Sequence, residues 1–386
     1  MSKYKVAYAT GSRADYGIVR NYLRLVDRDP DIDFSILVTG AHLEEKYGMT
    51  VHAVEADGFH IDARIPLQID NSCNAGILRS MAVAADGFGA FFQNNKYDLL
   101  IVLGDRYEMM AVALAAAMHT IPILHLHGGE ITCGNYDEFI RHCITKMSTY
   151  HFTATAQYRQ RVIQLGEAPE RVFCLGALGA ENCRQINKEN VVQEVLQLSG
   201  KPYFVVAFHP ETITGSDTAC QLHELWQALT AFCEEYRMVF IGTNADTGSD
   251  VIRQIWQQFI REYSDCVYFE NLNTDSFLYL TANSVAMVGN SSSGIIEAPS
   301  LGVYTVNIGH RQAGRVRADS VLDVFCSSEQ IRMAMEQAAD QKKAGCPIMN
   351  PYYQADTAQQ YYKTTRQILD QEKPAWKTFF DLHQTQ

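Results

Sequence analysis

The chain has 386 residues, too many for one ordinary domain and enough for two or three. Hydrophobic residues make up 47% and charged residues 20%, which excludes a disordered chain. A net charge of −12, from 32 Lys plus Arg against 44 Asp plus Glu, disfavours broad binding to a nucleic-acid backbone.

Residues 4–9 form a short apolar run that ends at Gly11-Ser12-Arg13. Ile18, Val19, Tyr22, Leu23 and Val26 then recur at helical spacing. Residues 34–39 read as a second strand ending at Gly40, and residues 99–103 as a buried strand ending at Gly104-Asp105-Arg106. A small-residue helix follows over 109–118, the longest apolar run and well short of the ~20 residues of a membrane span. Residues 121–126, 150–155 and 172–175 complete this half. The pattern restarts at 203–208 and continues at 238–241, 267–269, 285–288 and 304–306.

Strands apolar on both faces and separated by helices predict doubly wound parallel sheets, an α/β class. The polar segment 182–198 divides them into two α/β domains facing across a cleft. The expected division is 1–182, 183–356, and a helical tail over 357–386 that crosses back to the first domain. The start, MSKYKVAYAT, lacks a signal-peptide pattern, so a cytoplasmic protein without membrane contact is expected. Ten cysteines with no CxxC pair predict reduced, mostly buried thiols.

In open α/β sheets ligands bind beyond the carboxyl ends of the strands. Gly11-Ser12-Arg13-Ala14-Asp15-Tyr16 opens a helix after the first strand. Arg13 there suits a phosphate oxygen, whereas Asp15 reads either as a ligand contact or as a plain helix cap. Asp105 stands at the top of a buried strand, where partial desolvation suits a carboxylate to proton transfer, with Arg106 beside it. His125 and His127, two apart, are expected on one face of a strand. Glu130 and Asp137 bring two more carboxylates toward Asp105, followed by Arg141 and His142. Such a set is either an acid/base site or a metal site. In the second half His209-Pro210-Glu211 and Asn244-Ala245-Asp246 end strands. Gly289-Asn290-Ser291-Ser292-Ser293-Gly294 opens a helix whose hydroxyls and N–H groups suit phosphate oxygens, with Glu297 placed for ribose hydroxyls. Arg311, with Arg315 and Arg317 nearby, forms a basic patch in an acidic chain.

These residues resemble a known family. GSRADYG, GDRYE, HGGE with DEFIRHCITKMS, YRQRVIQLGE, FHPET, NADTGSD, GNSSSGIIEAPS and NIGHRQAGRVRADS occur in order from about residue 5 to residue 320. They are similar to the hydrolysing UDP-N-acetylglucosamine 2-epimerases of bacterial sialic-acid synthesis. The resemblance implies the GT-B fold, with the nucleotide sugar in the cleft. It implies conversion of UDP-GlcNAc and water to N-acetylmannosamine and UDP, by anti elimination to 2-acetamidoglucal and then syn hydration. It implies no metal or other cofactor, and a homodimer or dimer of dimers. Carried over by motif, the catalytic carboxylates are Asp105, Glu130 and Asp137. Some members have Glu directly before the Gly-Gly pair where this chain has His127, so Glu130 and His127 both stay open for that role. Arg13, Asp15, Arg106, His209, Asn244, Asn290, Ser291, Ser292, Glu297 and Arg311 would hold UDP and the sugar. Related enzymes act on a UDP-2,4-diacetamido-2,4,6-trideoxy sugar for legionaminic acid, which is the alternative substrate. A GT-B glycosyltransferase, a metal-dependent hydrolase on Asp105, His125, His127 and His142, and a nucleotide-sugar sensor are the rival classes.

Overall fold

Strands that are apolar on both faces can satisfy themselves only inside a sheet covered on both sides. The structure is a computed structural model describing residues 3–133, 135–198, 200–211, 218–243, 248–372 and 376–382. Its first sheet holds β1 (Tyr4–Thr10), β2 (Ile32–Thr39), β3 (Ile61–Ile65), β4 (Leu99–Leu103), β5 (Ile123–Leu126), β6 (Tyr150–Thr153) and β7 (Val172–Cys174). Their order is β3-β2-β1-β4-β5-β6-β7, all parallel. The second holds β8 (Tyr203–Ala207), β9 (Arg237–Ile241), β10 (Val267–Phe269), β11 (Ala286–Gly289), β12 (Tyr304–Ile308) and β13 (Val321–Val324). Their order is β10-β9-β8-β11-β12-β13, again all parallel. Each order reverses direction at its first strand, which opens a crevice beyond the carboxyl ends of β1 and β4 and of β8 and β11. The two crevices face each other. This is the GT-B architecture.

The strands between residues 99 and 126 are fully buried, as their composition requires. β3 and β13, which the apolar pattern does not signal, are edge strands with half-exposed side chains. An edge strand buries little, so it need not be apolar. Helix Asn74–Asn94 has the length and apolar content of a membrane span by composition. Its Ile77, Ala84, Phe88 and Phe92 instead pack in one core with Leu100, Val102 and Val112. The cysteines depart from expectation. All ten are free, but only Cys183 and Cys266 are buried, and Cys73, Cys143, Cys220 and Cys346 are exposed.

Helix Thr357–Asp370 lies against helix Arg13–Asp27 of the first domain. The Tyr22 and Thr365 hydroxyls are 2.7 Å apart, and the Tyr361 hydroxyl donates to the Gly176 carbonyl at 2.8 Å. Farther on, Lys377 Nζ donates to the Lys146 and Ser148 carbonyls at 2.8 and 2.6 Å. A lysine there satisfies the carboxyl end of helix Asp137–Met147, whose other end faces the cleft.

Candidate active site

The facing crevices enclose a cavity of about 270 Å³. The first domain lines it with Arg13, Asp105, Arg106, His127, Glu130, Thr132, Asp137 and Arg141. The second contributes His209, Ser291, Ser292, Ser293, Glu297, Arg311 and Arg315. Most of the residues marked by the sequence are therefore brought to one place. Asp15 and Asn290 are not among the lining residues, and Asn244 lies outside the described residues.

Asp15 is spent on the turn itself. Its carboxylate accepts from the Gly11 and Ser12 N–H groups, both at 3.0 Å, and from the Thr10 hydroxyl at 2.8 Å. It forms a capping box with Ser12 at the start of helix Arg13–Asp27. The expected ligand contact by Asp15 is thus replaced by the local cap. Arg13, two residues earlier, remains in the cavity, and its Nε has no hydrogen-bond partner. Burial alone lowers its guanidinium to about 10. A cation desolvated without a protein anion leaves room for a ligand anion.

At the ends of β4 and β5 the acid/base groups are tied to arginines. Asp105 is ion-paired with Arg141 and accepts from the Thr132 hydroxyl at 3.2 Å. Arg141 also donates to the His127 carbonyl at 2.7 Å. Asp137 opens its helix in the cavity, 3.8 Å from Arg311 of the second domain. Glu130 accepts from His127 Nδ1 at 2.7 Å and is ion-paired with Arg315 at 3.0 Å. Burial pushes the Glu130 carboxyl up. Arg315 and His127 overcome that and hold it well below the usual carboxylate range.

The two histidines do not share a face, contrary to the alternation. β5 stops at Leu126, and His127 takes a left-handed backbone with φ of 63°. That turn sends His127 into the cavity. His125 stays under the sheet, where Nε2 donates to the Gly104 carbonyl at 2.8 Å. Burial lowers its pKa well below the usual value, so it stays neutral. His125 therefore supports the Gly104-Asp105 turn. His142 instead pairs with Glu138 at 3.2 Å. Among the described residues no group of three or more His, Cys, Asp or Glu is placed to hold a metal ion.

In the second domain Asn290 is fully buried and clasps the His209 backbone. Its Oδ1 accepts from the His209 N–H at 2.7 Å, and its Nδ2 donates to the His209 carbonyl at 2.8 Å. The Asn290 carbonyl accepts from Arg311 at 3.1 Å and from Gln312 at 2.8 Å. Asn290 is thus a hub that aims other residues. Gly289 permits the strand end to approach this closely. Its φ is 138°, and a Cβ there would lie 2.0 Å from the Ala207 carbonyl oxygen. Burial and the neighbouring Arg311 keep His209 neutral. The expected phosphate-binding helix is one short turn, Ser293–Ile296, followed by a 3₁₀ turn. Its contribution to the cavity is the run of serine hydroxyls, more than a helix dipole. Burial raises the Glu297 carboxyl to about 7, with the Glu130 charge adding to the effect.

The sequence set Arg141 behind the carboxylates and Arg315 in the basic patch with Arg311 but gave neither its partner, and it did not mark Thr132. Arg141 had a signal: it lies one helical turn after Asp137. Arg315 reaches across the cleft, donating to the Ile131 carbonyl at 2.7 Å and to the Thr132 hydroxyl at 3.2 Å. Beside it, the Val316 N–H donates to the Tyr158 hydroxyl at 3.0 Å.

Two Rossmann-like domains with a charged cleft define a GT-B protein, and comparison with known proteins narrows the class. The structure matches a putative UDP-N-acetylglucosamine 2-epimerase from Listeria monocytogenes, with TM-score 0.79, 16% identity, and coverage of 98% of this chain and 100% of that one. It also matches the Methanocaldococcus jannaschii UDP-GlcNAc 2-epimerase solved with UDP-GlcNAc and UDP, with TM-score 0.78, 17% identity, and coverage of 94% and 99%. At such identities these likenesses speak for the fold. The family model for UDP-N-acetylglucosamine 2-epimerase matches residues 24–366. The Escherichia coli polysialic acid biosynthesis protein P7 is 43% identical over 98% of this chain and 97% of its own length. A Legionella pneumophila UDP-N,N'-diacetylbacillosamine 2-epimerase (hydrolyzing) is 36% identical over 94% and 96%. The chain belongs to the UDP-N-acetylglucosamine 2-epimerase family.

Proposed function

We propose that this enzyme is a hydrolysing UDP-N-acetylglucosamine 2-epimerase, acting in the cytoplasm and supplying N-acetylmannosamine for sialic acid. One observation carries the reading. A single cavity holds Arg13 with a carboxylate and histidine set on one wall, and three serines and Arg311 on the other. The 36%-identical relative is a hydrolysing enzyme by name, and the 43%-identical one belongs to polysialic acid synthesis.

The chemistry follows from the acidity of the substrate. The C2–H of an acetamido sugar is a very weak acid, so its loss must be coupled to departure of UDP. Arg13, Ser291 and Ser292 would bind the diphosphate, with Arg106 and Arg311 completing the positive potential. Glu297 would accept from the ribose hydroxyls. Asp105, His127, Glu130 and Asp137 supply the groups that remove a proton from C2, and later direct water to C1 and return a proton to C2. Contacts between domains at Arg315 and Val316 keep bulk water from the glucal until it is hydrated.

The test is turnover of UDP-GlcNAc in D2O followed by NMR. The expected products are UDP and free N-acetylmannosamine carrying deuterium at C2. Accumulation of UDP-N-acetylmannosamine would overturn the hydrolytic reading. The Legionella relative favours a second substrate, a UDP-2,4-diacetamido-2,4,6-trideoxyglucose. A higher kcat/KM for that sugar than for UDP-GlcNAc would select it.

A further inference from the structure

His127 lines the cavity, and its Nε2 is buried without a hydrogen-bond partner, while the opposite ring nitrogen is committed to Glu130. Because Glu130 is an ionised acceptor, the bond at 2.7 Å places the proton on His127 Nδ1. In the neutral ring Nε2 is then the lone pair. The charged groups around the ring are Glu130, Arg315 behind it, and Arg141, which grips the His127 carbonyl. Asp105 lies beyond Arg141 and is paired to it. Neutral His125 lies beneath.

From this arrangement we infer that His127 Nε2 is the base that takes the C2 proton in the elimination step, and that Glu130 and Arg315 are positioning residues. The inference rests on the epimerase reading above and assigns a role within it. An imidazole is ordinarily a stronger base than a carboxylate by about two pH units. The two competing carboxylates are each held by an arginine, Asp105 by Arg141 and Asp137 by the more distant Arg311. Both are weaker candidates for a carbon acid and remain available for the water step.

The step balances as follows. The C2–H bond breaks and its proton goes to Nε2. The electron pair forms the C1–C2 double bond. The C1–O bond breaks and its pair leaves on the β-phosphate oxygen of UDP. Imidazolium formed in this way is stabilised by Glu130, as in other histidine–carboxylate pairs. Arg315 comes from the second domain, so the dyad is held in place only where the two domains meet.

The test compares variants that separate a base from its support. His127→Asn tolerates the left-handed backbone and removes the base. UDP release should fall about thousandfold, as for loss of a general base. UDP binding should survive, because His127 is not among the groups that hold the diphosphate or the ribose. Glu130→Gln keeps an acceptor for Nδ1 but removes the charge. It should lose about ten- to hundredfold, as for lost orientation, and shift the acid limb of the kcat/KM profile to lower pH. If Arg315 left without its anion prevents folding, Glu130→Gln with Arg315→Met asks the same question. Wild-type-like turnover in His127→Asn overturns the assignment. So does a Glu130→Gln enzyme as inactive as His127→Asn with its acid limb unmoved. Both outcomes leave the epimerase reading standing. That reading fails by itself if the wild type releases no UDP from either UDP sugar.

Discussion

A methyl group on Gly179 would lie 2.0 Å from Glu297 Oε1, so the carboxylate occupies space that only glycine leaves open. Gly179→Ala must push the end of Glu297 aside, while the short helix Leu178–Asn182 tolerates alanine. UDP affinity should fall about ten- to hundredfold, the loss of charge-assisted hydrogen bonds to ribose. Thermal stability should change little. Calorimetric titration with UDP checks the first, and a melting curve the second.

The same carboxylate gives a pH prediction. Its pKa rises from 4.5 in the unfolded chain to about 7 in the fold, through burial. Between those values the unfolded chain has released the proton and the folded one keeps it. Stability from this group therefore falls as pH rises through that window and is level above it. The ionised form costs about 3 kcal/mol at alkaline pH. Glu297→Gln should be the more stable protein at pH 8 and equal to wild type at pH 4. Urea unfolding of both proteins across the range measures the difference. If ribose hydroxyls bind the ionised form, UDP binding near pH 6.5 also releases a proton that Glu297→Gln does not release.

How much of this was readable in advance differs from residue to residue. Arg13, Asp105 and Ser291 each follow an apolar strand, and the topology of a parallel sheet sends such positions to the cleft. The partners that set their charge were not readable. Arg315 meets Glu130 only because the two domains face each other, and nothing in local spacing encodes that distance. Asp15 stayed open because one carboxylate at a helix start serves a ligand or its own turn equally well in sequence, and in the fold it holds the turn. His127 misled because its left-handed backbone breaks the strand alternation two residues after His125. β3 and β13 escaped for a simpler reason: edge strands carry little apolar signal.

Arg13 makes a third prediction. Its guanidinium is desolvated, and among the described residues no carboxylate is ion-paired with it. Arg13→Met should weaken UDP binding by about ten- to hundredfold, the worth of a charge-assisted phosphate contact. The unliganded protein should be as stable as wild type or more so, because a buried unpaired charge has gone. Unchanged UDP affinity would remove Arg13 from the phosphate site.

Asn290 makes the opposite prediction, since it acts on the protein and not on the ligand. Both ends of its amide bind the His209 backbone, and the side chain has no exposure. Asn290→Ala leaves a buried N–H and a buried carbonyl without partners, at a cost of about 2–4 kcal/mol. Asn290→Asp keeps the acceptor but turns an anion toward the His209 carbonyl, so it should be no better. Either change weakens the clasp on His209, while the Arg311 bond to the residue 290 main-chain carbonyl can remain. Urea unfolding should show the lost stability, and kcat should fall with it. Ser291→Ala, one residue on and half-exposed in the cavity, should lower UDP affinity with little change in the unfolding midpoint.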